Sequence, residues 1–141
     1  LELDVDAGLP DFADQSFDYV VMTEAIQAML RPDLTLDEML RVGKQVIVTF
    51  QNFGHWRCRL QVGLGGKMPV AHALPHPWYS TPNIHLGTVR DFEQLCAAKG
   101  ITICERETVD YQYRVWPGMR RWPNLLAEIV CYRLERKICS P

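Results

Sequence analysis

Gln45-Val46-Ile47-Val48-Thr49-Phe50 is the stretch that decides the fold. It is nearly continuous in β-branched and aromatic residues, the composition of a buried parallel strand rather than of a half-solvated antiparallel one. Parallel strands need crossover connections, so the segments on either side are expected to alternate strand and helix. Before it, Asp33 to Val42 sets Leu36, Met39 and Leu40 on one helical face, and Gly43 suits a left-handed helix end. Earlier still, Ser16-Phe17-Asp18-Tyr19-Val20-Val21-Met22 reads as a strand after a turn containing Pro10, Asp11 and Asp14. Thr23 to Leu30 reads as a short helix stopped by Arg31-Pro32.

Beyond Phe50 the rhythm breaks. Gly54 to Gly66 has helical spacing, with Trp56, Leu60 and Leu64 four apart. The segment after it carries Pro69, Pro75, Pro77 and Pro82 among aromatics and histidines, which forbids regular structure. Residues 51–87 are therefore expected to form a lid-like insertion. Regularity returns with Thr88 and Asp91 as a capping pair, Phe92, Leu95 and Cys96 facing the core, and Gly100 ending the helix. Ile101-Thr102-Ile103-Cys104 and Glu128 to Leu134 are strands flanking an irregular stretch from Asp110 to Pro123. The order predicts one α/β domain over residues 1–134, ending in an antiparallel edge, with residues 135–141 as a tail.

Composition bounds the function. The 141 residues are 48% hydrophobic with a formal net charge of −2, which excludes disorder and argues against a nucleic-acid binder. No apolar run reaches the roughly 18 residues of a membrane span. The five cysteines form no CxxC pair, as expected of a reduced, cytoplasmic protein. His72 and His76 have the spacing of a helical metal pair, but Pro75 and Pro77 break that helix, so no metal is expected. Gly63-Leu64-Gly65-Gly66-Lys67-Met68 fails the phosphate-loop pattern, with Gln61 and Met68 at two of its defining positions.

Candidate site residues cluster after the two strongest strands, at the carboxyl edge where open α/β sheets bind ligands. Thr23 and Glu24 follow the first of these strands, with a cofactor-lining or a helix-capping role open to them. Asn52, His55 and Trp56 follow the second; they suit a substrate wall, with His55 as a proton acceptor or as a structural loop histidine. Tyr79, Asn83 and His85 lie in the proline-rich segment and share the substrate or partner role. Arg57, Arg59, Arg114, Arg120 and Arg121 with Trp116 and Trp122 read either as an interface or as a basic face with inward tryptophans.

Asp4, the Leu9-Pro10-Asp11 turn and Ser16-Phe17-Asp18-Tyr19-Val20-Val21 are similar to the middle of class I S-adenosylmethionine-dependent methyltransferases. Phe50-Gln51-Asn52-Phe53-Gly54-His55-Trp56-Arg57, Trp78 to His85, Arg90-Asp91-Phe92 and Pro123 to Glu128 resemble the methionine biosynthesis family MetW, in order over residues 1–134. The resemblance implies a doubly wound, Rossmann-like class I methyltransferase fold with an antiparallel last strand. It also implies a role in methionine biosynthesis beside a MetX-type homoserine O-acyltransferase, or else methyl transfer to a small molecule. In that family Asp4 would accept from the adenine amine of S-adenosylmethionine, with the Val5 backbone beside it and Thr23 and Glu24 lining the cofactor. A methyltransferase motif M-E-x-L-E-H corresponds to a stretch here that keeps Glu24 but has Gln27 for the second acid and Ala28 for the histidine.

The first strands and the Gly-rich loop of such folds have no counterpart in the sequence, which opens at Leu1-Glu2-Leu3-Asp4. A chain cut open in this way is expected not to bind S-adenosylmethionine by itself. It is also expected to leave the Phe17–Met22 strand with an unpaired edge that invites self-association.

Overall fold

The computed structural model describes residues 5–73 and 75–136. Four strands form one sheet: β1 (Phe17–Thr23), β2 (Gly43–Gln51), β3 (Ile101–Val109) and β4 (Ile129–Arg136), in the order β1-β2-β4-β3. β1 runs parallel to β2, and β4 runs antiparallel to both β2 and β3. The last strand is thus antiparallel, but it is wedged inside the sheet, and β3 takes the edge. Its Val130, Tyr132 and Leu134 are fully buried. β1 is the other outer strand among the described residues.

Helices α1 (Pro32–Val42) and α3 (Val89–Ala98) cover one face. Alternation along each strand sends Val46, Val48 and Phe50 of β2 into that face, against Leu36, Met39 and Leu40 of α1 and Val89, Phe92 and Cys96 of α3. The rings of Phe50, Phe92 and Tyr132 meet at its centre, with centroids 4.8–5.9 Å apart. On the opposite face Tyr19 and Val21 are both 58% exposed. β2 is therefore closed on one side and half-open on the other, less enclosed than its apolar run predicts.

Local chemistry explains the elements. Thr88 and Asp91 form the expected capping box at the start of α3, and Gly100, at φ +66°, turns the chain out of it. Gly43 differs from its expected role: it is extended (φ −108°, ψ 142°) and opens β2 directly. A Cβ there would stand 2.6 Å from Val20 Cγ2, so glycine is needed for close approach rather than for a left-handed turn. The helix expected over residues 23–30 shrinks to one 3-10 turn, Ile26–Ala28. Glu24 enters the left-handed region at φ 53°, held there by Thr49 through its carbonyl (2.9 Å) and Oγ1 (3.1 Å). Helix α2 (Trp56–Gly63) forms within the expected span, but its Trp56-Leu60-Leu64 stripe faces solvent and only Cys58 is buried. Arg41 clamps the segment before β1, donating to the Leu9 and Phe12 carbonyls and to Asp14. Among the described residues no helix is long and apolar enough to cross a membrane.

Leu36 is fully buried under the sheet. Leu36→Ala is expected to lower unfolding free energy by about 2–5 kcal/mol, measured by urea denaturation. Tyr19→Thr on the open face is expected to change it by no more than about 0.5 kcal/mol.

Candidate functional site

The carboxyl edge of β2 is built around Asn52. Its side chain is 2% exposed and bonds within the protein on both ends. Nδ2 donates to the carbonyls of Ala127 (2.8 Å), Asn124 (3.2 Å) and Pro123 (3.4 Å). Oδ1 accepts from Gly54 N (3.0 Å) and Val89 N (3.2 Å). One amide thereby ties the end of β2 to helix α4 (Pro123–Leu126) and to the start of α3. Asn52→Ala orphans these groups together and is expected to cost about 3 kcal/mol, read as a lower denaturation midpoint.

His55 caps α2, its Nδ1 accepting from Arg57 N at 3.4 Å. That contact puts the proton of the neutral ring on Nε2, which lies 3.9 Å from Glu128 Oε1. Burial holds His55 below its ordinary value of 6.5, with Glu128 opposing the fall and Arg57 adding to it. The folded protein thus favours neutral imidazole. Below about pH 6.5 the unfolded chain takes up this proton first, so the contribution to stability is complete above that pH and declines as pH falls. His55→Asn keeps a capping acceptor and is expected to flatten this decline, followed by denaturation from about pH 7 to about pH 5.

Around His55 opens a cavity of about 470 Å³, lined among others by Trp56, Arg57, Asp110, Arg114, Trp116 and Glu128. Asp110 organises its far wall, accepting from Gln112 N, Arg114 N, Arg114 Nε and, at 2.6 Å, Trp116 Nε1. Burial pushes its carboxyl up, but these bonds outweigh burial and bring it down to about 2. Arg114 is spoken for by Asp110 and lies over Trp116, 5.2 Å from the ring centroid. His72 enters through its ring, stacked on Tyr111 at 4.4 Å.

A second cavity of about 440 Å³ takes Thr23 and Glu24, with Thr49, Tyr113, Ile129 and Cys131. Consecutive residues of an extended chain point to opposite sides. Val109 and Ile129 line this cavity while their neighbours Asp110 and Glu128 line the first, so the sheet edge divides the two. The proposed cofactor-lining pair and the His55 group are therefore held apart. Asp4 lies outside the described residues, and Val5 opens a 3-10 turn, Val5–Ala7.

The proline-rich segment is anchored at its end. Ile84 N and His85 N donate to the Gln27 carbonyl, Asn83 Nδ2 donates to Gln51 Oε1 at 3.0 Å, and His85 Nε2 lies 3.3 Å from the Leu30 carbonyl. Gln27 is buried, donating to the Gln51 carbonyl and accepting from Gln51 N. Tyr79 is 74% exposed and meets Trp78 edge-on. Sequence reasoning passes over Asp110, Tyr111 and Glu128 as site residues. The signal for Asp110 is legible, since an aspartate followed at two and four residues by free N–H groups is an Asx-type turn.

A parallel pair joined to an inserted antiparallel strand defines a methyltransferase-like α/β fold. A SAM-dependent methyltransferase from Thermotoga maritima superposes with a TM-score of 0.62 at 17% identity, over 97% of this chain and 63% of that one. The cyclase SpnF superposes with a TM-score of 0.57 at 17% identity, over 95% of this chain and 54% of that one. A curated relative, the bifunctional methionine biosynthesis protein MetXA/MetW of Rhodopirellula baltica, is 32% identical over 97% of this chain. The chain spans 22% of that relative's length. The family model described as methionine biosynthesis protein MetW matches residues 1–134, and the chain belongs to this family.

Proposed function

We propose that the chain acts in methionine biosynthesis as the methyltransferase-like partner of a MetX-type homoserine O-acyltransferase. The observation that carries this reading is the relative in which MetXA and MetW share one polypeptide. Components fused in one chain meet at high effective concentration, as subunits of a complex do.

The geometry supplies a surface for the contact. Trp122 is 58% exposed and, with Arg59, Arg121 and Leu125, borders a groove of about 370 Å³ beside α3. Arg120, outside the groove's lining, pairs with Glu107, 3.3 Å away. Exposed tryptophan and arginine together are the residue types that concentrate binding energy in interfaces. Trp116, 51% exposed, belongs to the His55 cavity instead, so the arginine-tryptophan set of the sequence divides between two places.

A second reading is methyl transfer from S-adenosylmethionine to a small molecule, favoured by the solved methyltransferase neighbour. The cyclase among the neighbours shows that this fold also serves other chemistry. In the methyl-transfer reading Thr23 and Glu24 line the cofactor.

Calorimetric titration of the protein with the acyltransferase, and separately with S-adenosylmethionine, distinguishes the two. The partner reading expects a stable complex that Trp122→Ala weakens by about 2 kcal/mol, roughly 30-fold. The same variant is expected to shift unfolding free energy by no more than about 0.5 kcal/mol. Methyl turnover without complex formation overturns the partner reading.

A further inference from the structure

The charges of the His55 cavity leave an imbalance that the partner reading does not use. Asp110 and Arg114 satisfy each other at 3.2 Å. Two charged groups remain. The Arg57 guanidinium lies over Trp56, 5.3 Å from the ring centroid, and among the described residues no carboxylate pairs with it. Glu128 has a side chain only 12% exposed, with Oε2 accepting from Tyr111 N at 3.0 Å. Its Oε1 has only His55 Nε2 nearby, and 3.9 Å is beyond hydrogen-bond reach.

That oxygen is not sealed from solvent, so it is free to accept from a ligand's donor in place of water. His55 does not become its donor by gaining charge, because burial favours its neutral form. The cavity lining thus presents one cation without a carboxylate partner among the described residues, one anion with a free acceptor oxygen, and the apolar surfaces of Trp116, Met119 and Leu126. A purely anionic ligand would leave Glu128 unserved and set like charges together. A purely cationic one would do the same to Arg57. The volume of about 470 Å³ falls in the range of small-molecule sites, about 300–1,000 Å³.

We propose that this cavity binds a small zwitterion of the α-amino-acid class. Its carboxylate meets Arg57, its ammonium donates to Glu128 Oε1, and an apolar side chain lies against Trp116 and Met119. Arginine suits the carboxylate because its fork of donors matches the two oxygens. The site stands apart from the Trp122 groove, so the zwitterion proposal and the partner reading fail independently.

The test is a fluorescence titration of the protein, reading Trp56 and Trp116, with three probes. L-Norleucine carries both charges, N-acetyl-L-norleucine lacks the ammonium, and 1-pentylamine lacks the carboxylate. The expected result is saturable binding of L-norleucine, with each analogue weaker by about tenfold or more. Arg57→Gln and Glu128→Gln should each weaken L-norleucine by a similar factor, while Lys44→Gln, a surface residue paired with Asp18, should not. Glutamine at position 128 keeps an acceptor for Tyr111 N, and Arg57 is exposed, so both variants can be checked for native melting before titration. No saturable response to L-norleucine overturns the proposal. So does equal binding of either singly charged analogue, or binding unaffected by Arg57→Gln.

Discussion

Everything at the carboxyl edge depends on the buried amide of Asn52. Three carbonyls of the 123–127 turn and two amides from Gly54 and Val89 converge on one side chain. Most of these backbone groups lie at chain reversals outside the ladders, and burial without a partner would cost free energy; the Pro123 carbonyl also accepts from Ala127 N. Asn is suited to the task because it offers two donors and an accepting oxygen on one short stem. With these reversals fixed, His55 and Glu128 face each other, and the wall formed by Asp110 closes the cavity around them.

Electrostatics then differentiates groups that share one neighbourhood. Asp110, with four donors around it, is held ionised far into the acid range, while His55 a short distance away is held neutral. Burial opposes the charged form in both cases, and hydrogen bonds to the charged form decide the outcome only for Asp110. A wall of fixed charge beside a neutral imidazole and a carboxylate with a free acceptor oxygen is a surface with polarity built into it.

The strands, the capping box at Thr88 and the core face of α3 were legible because each rests on local periodicity or local hydrogen bonding. The family was legible from motifs spread along the chain. What the sequence concealed depends on packing between distant segments. The role of Gly43 is set by Val20 across the sheet, not by its own helix. The residues after β1 form a 3-10 turn rather than a helix because Thr49, on the next strand, captures the Glu24 amide. The placement of β4 between β2 and β3 is a matter of topology that no strand pattern encodes. At the candidate site, the position of His55 and Asn52 after a strong strand is legible in the sequence. The placement of Glu128 and Asp110 beside them is not legible, because it comes from partners they reach only in three dimensions.

The wedged position of β4 also has a consequence in time. β2 and β3 touch no common partner until the strand that separates them arrives, and that strand comes last in the chain among the four. Its pairing with β2 joins residues such as Val46 and Leu134, so a long loop must close before either ladder rewards it. The early helices and the β1–β2 pair can form locally while synthesis proceeds. The centre of the sheet waits, and cooperative closure of the whole edge, cavity included, is coupled to the emergence of that one strand.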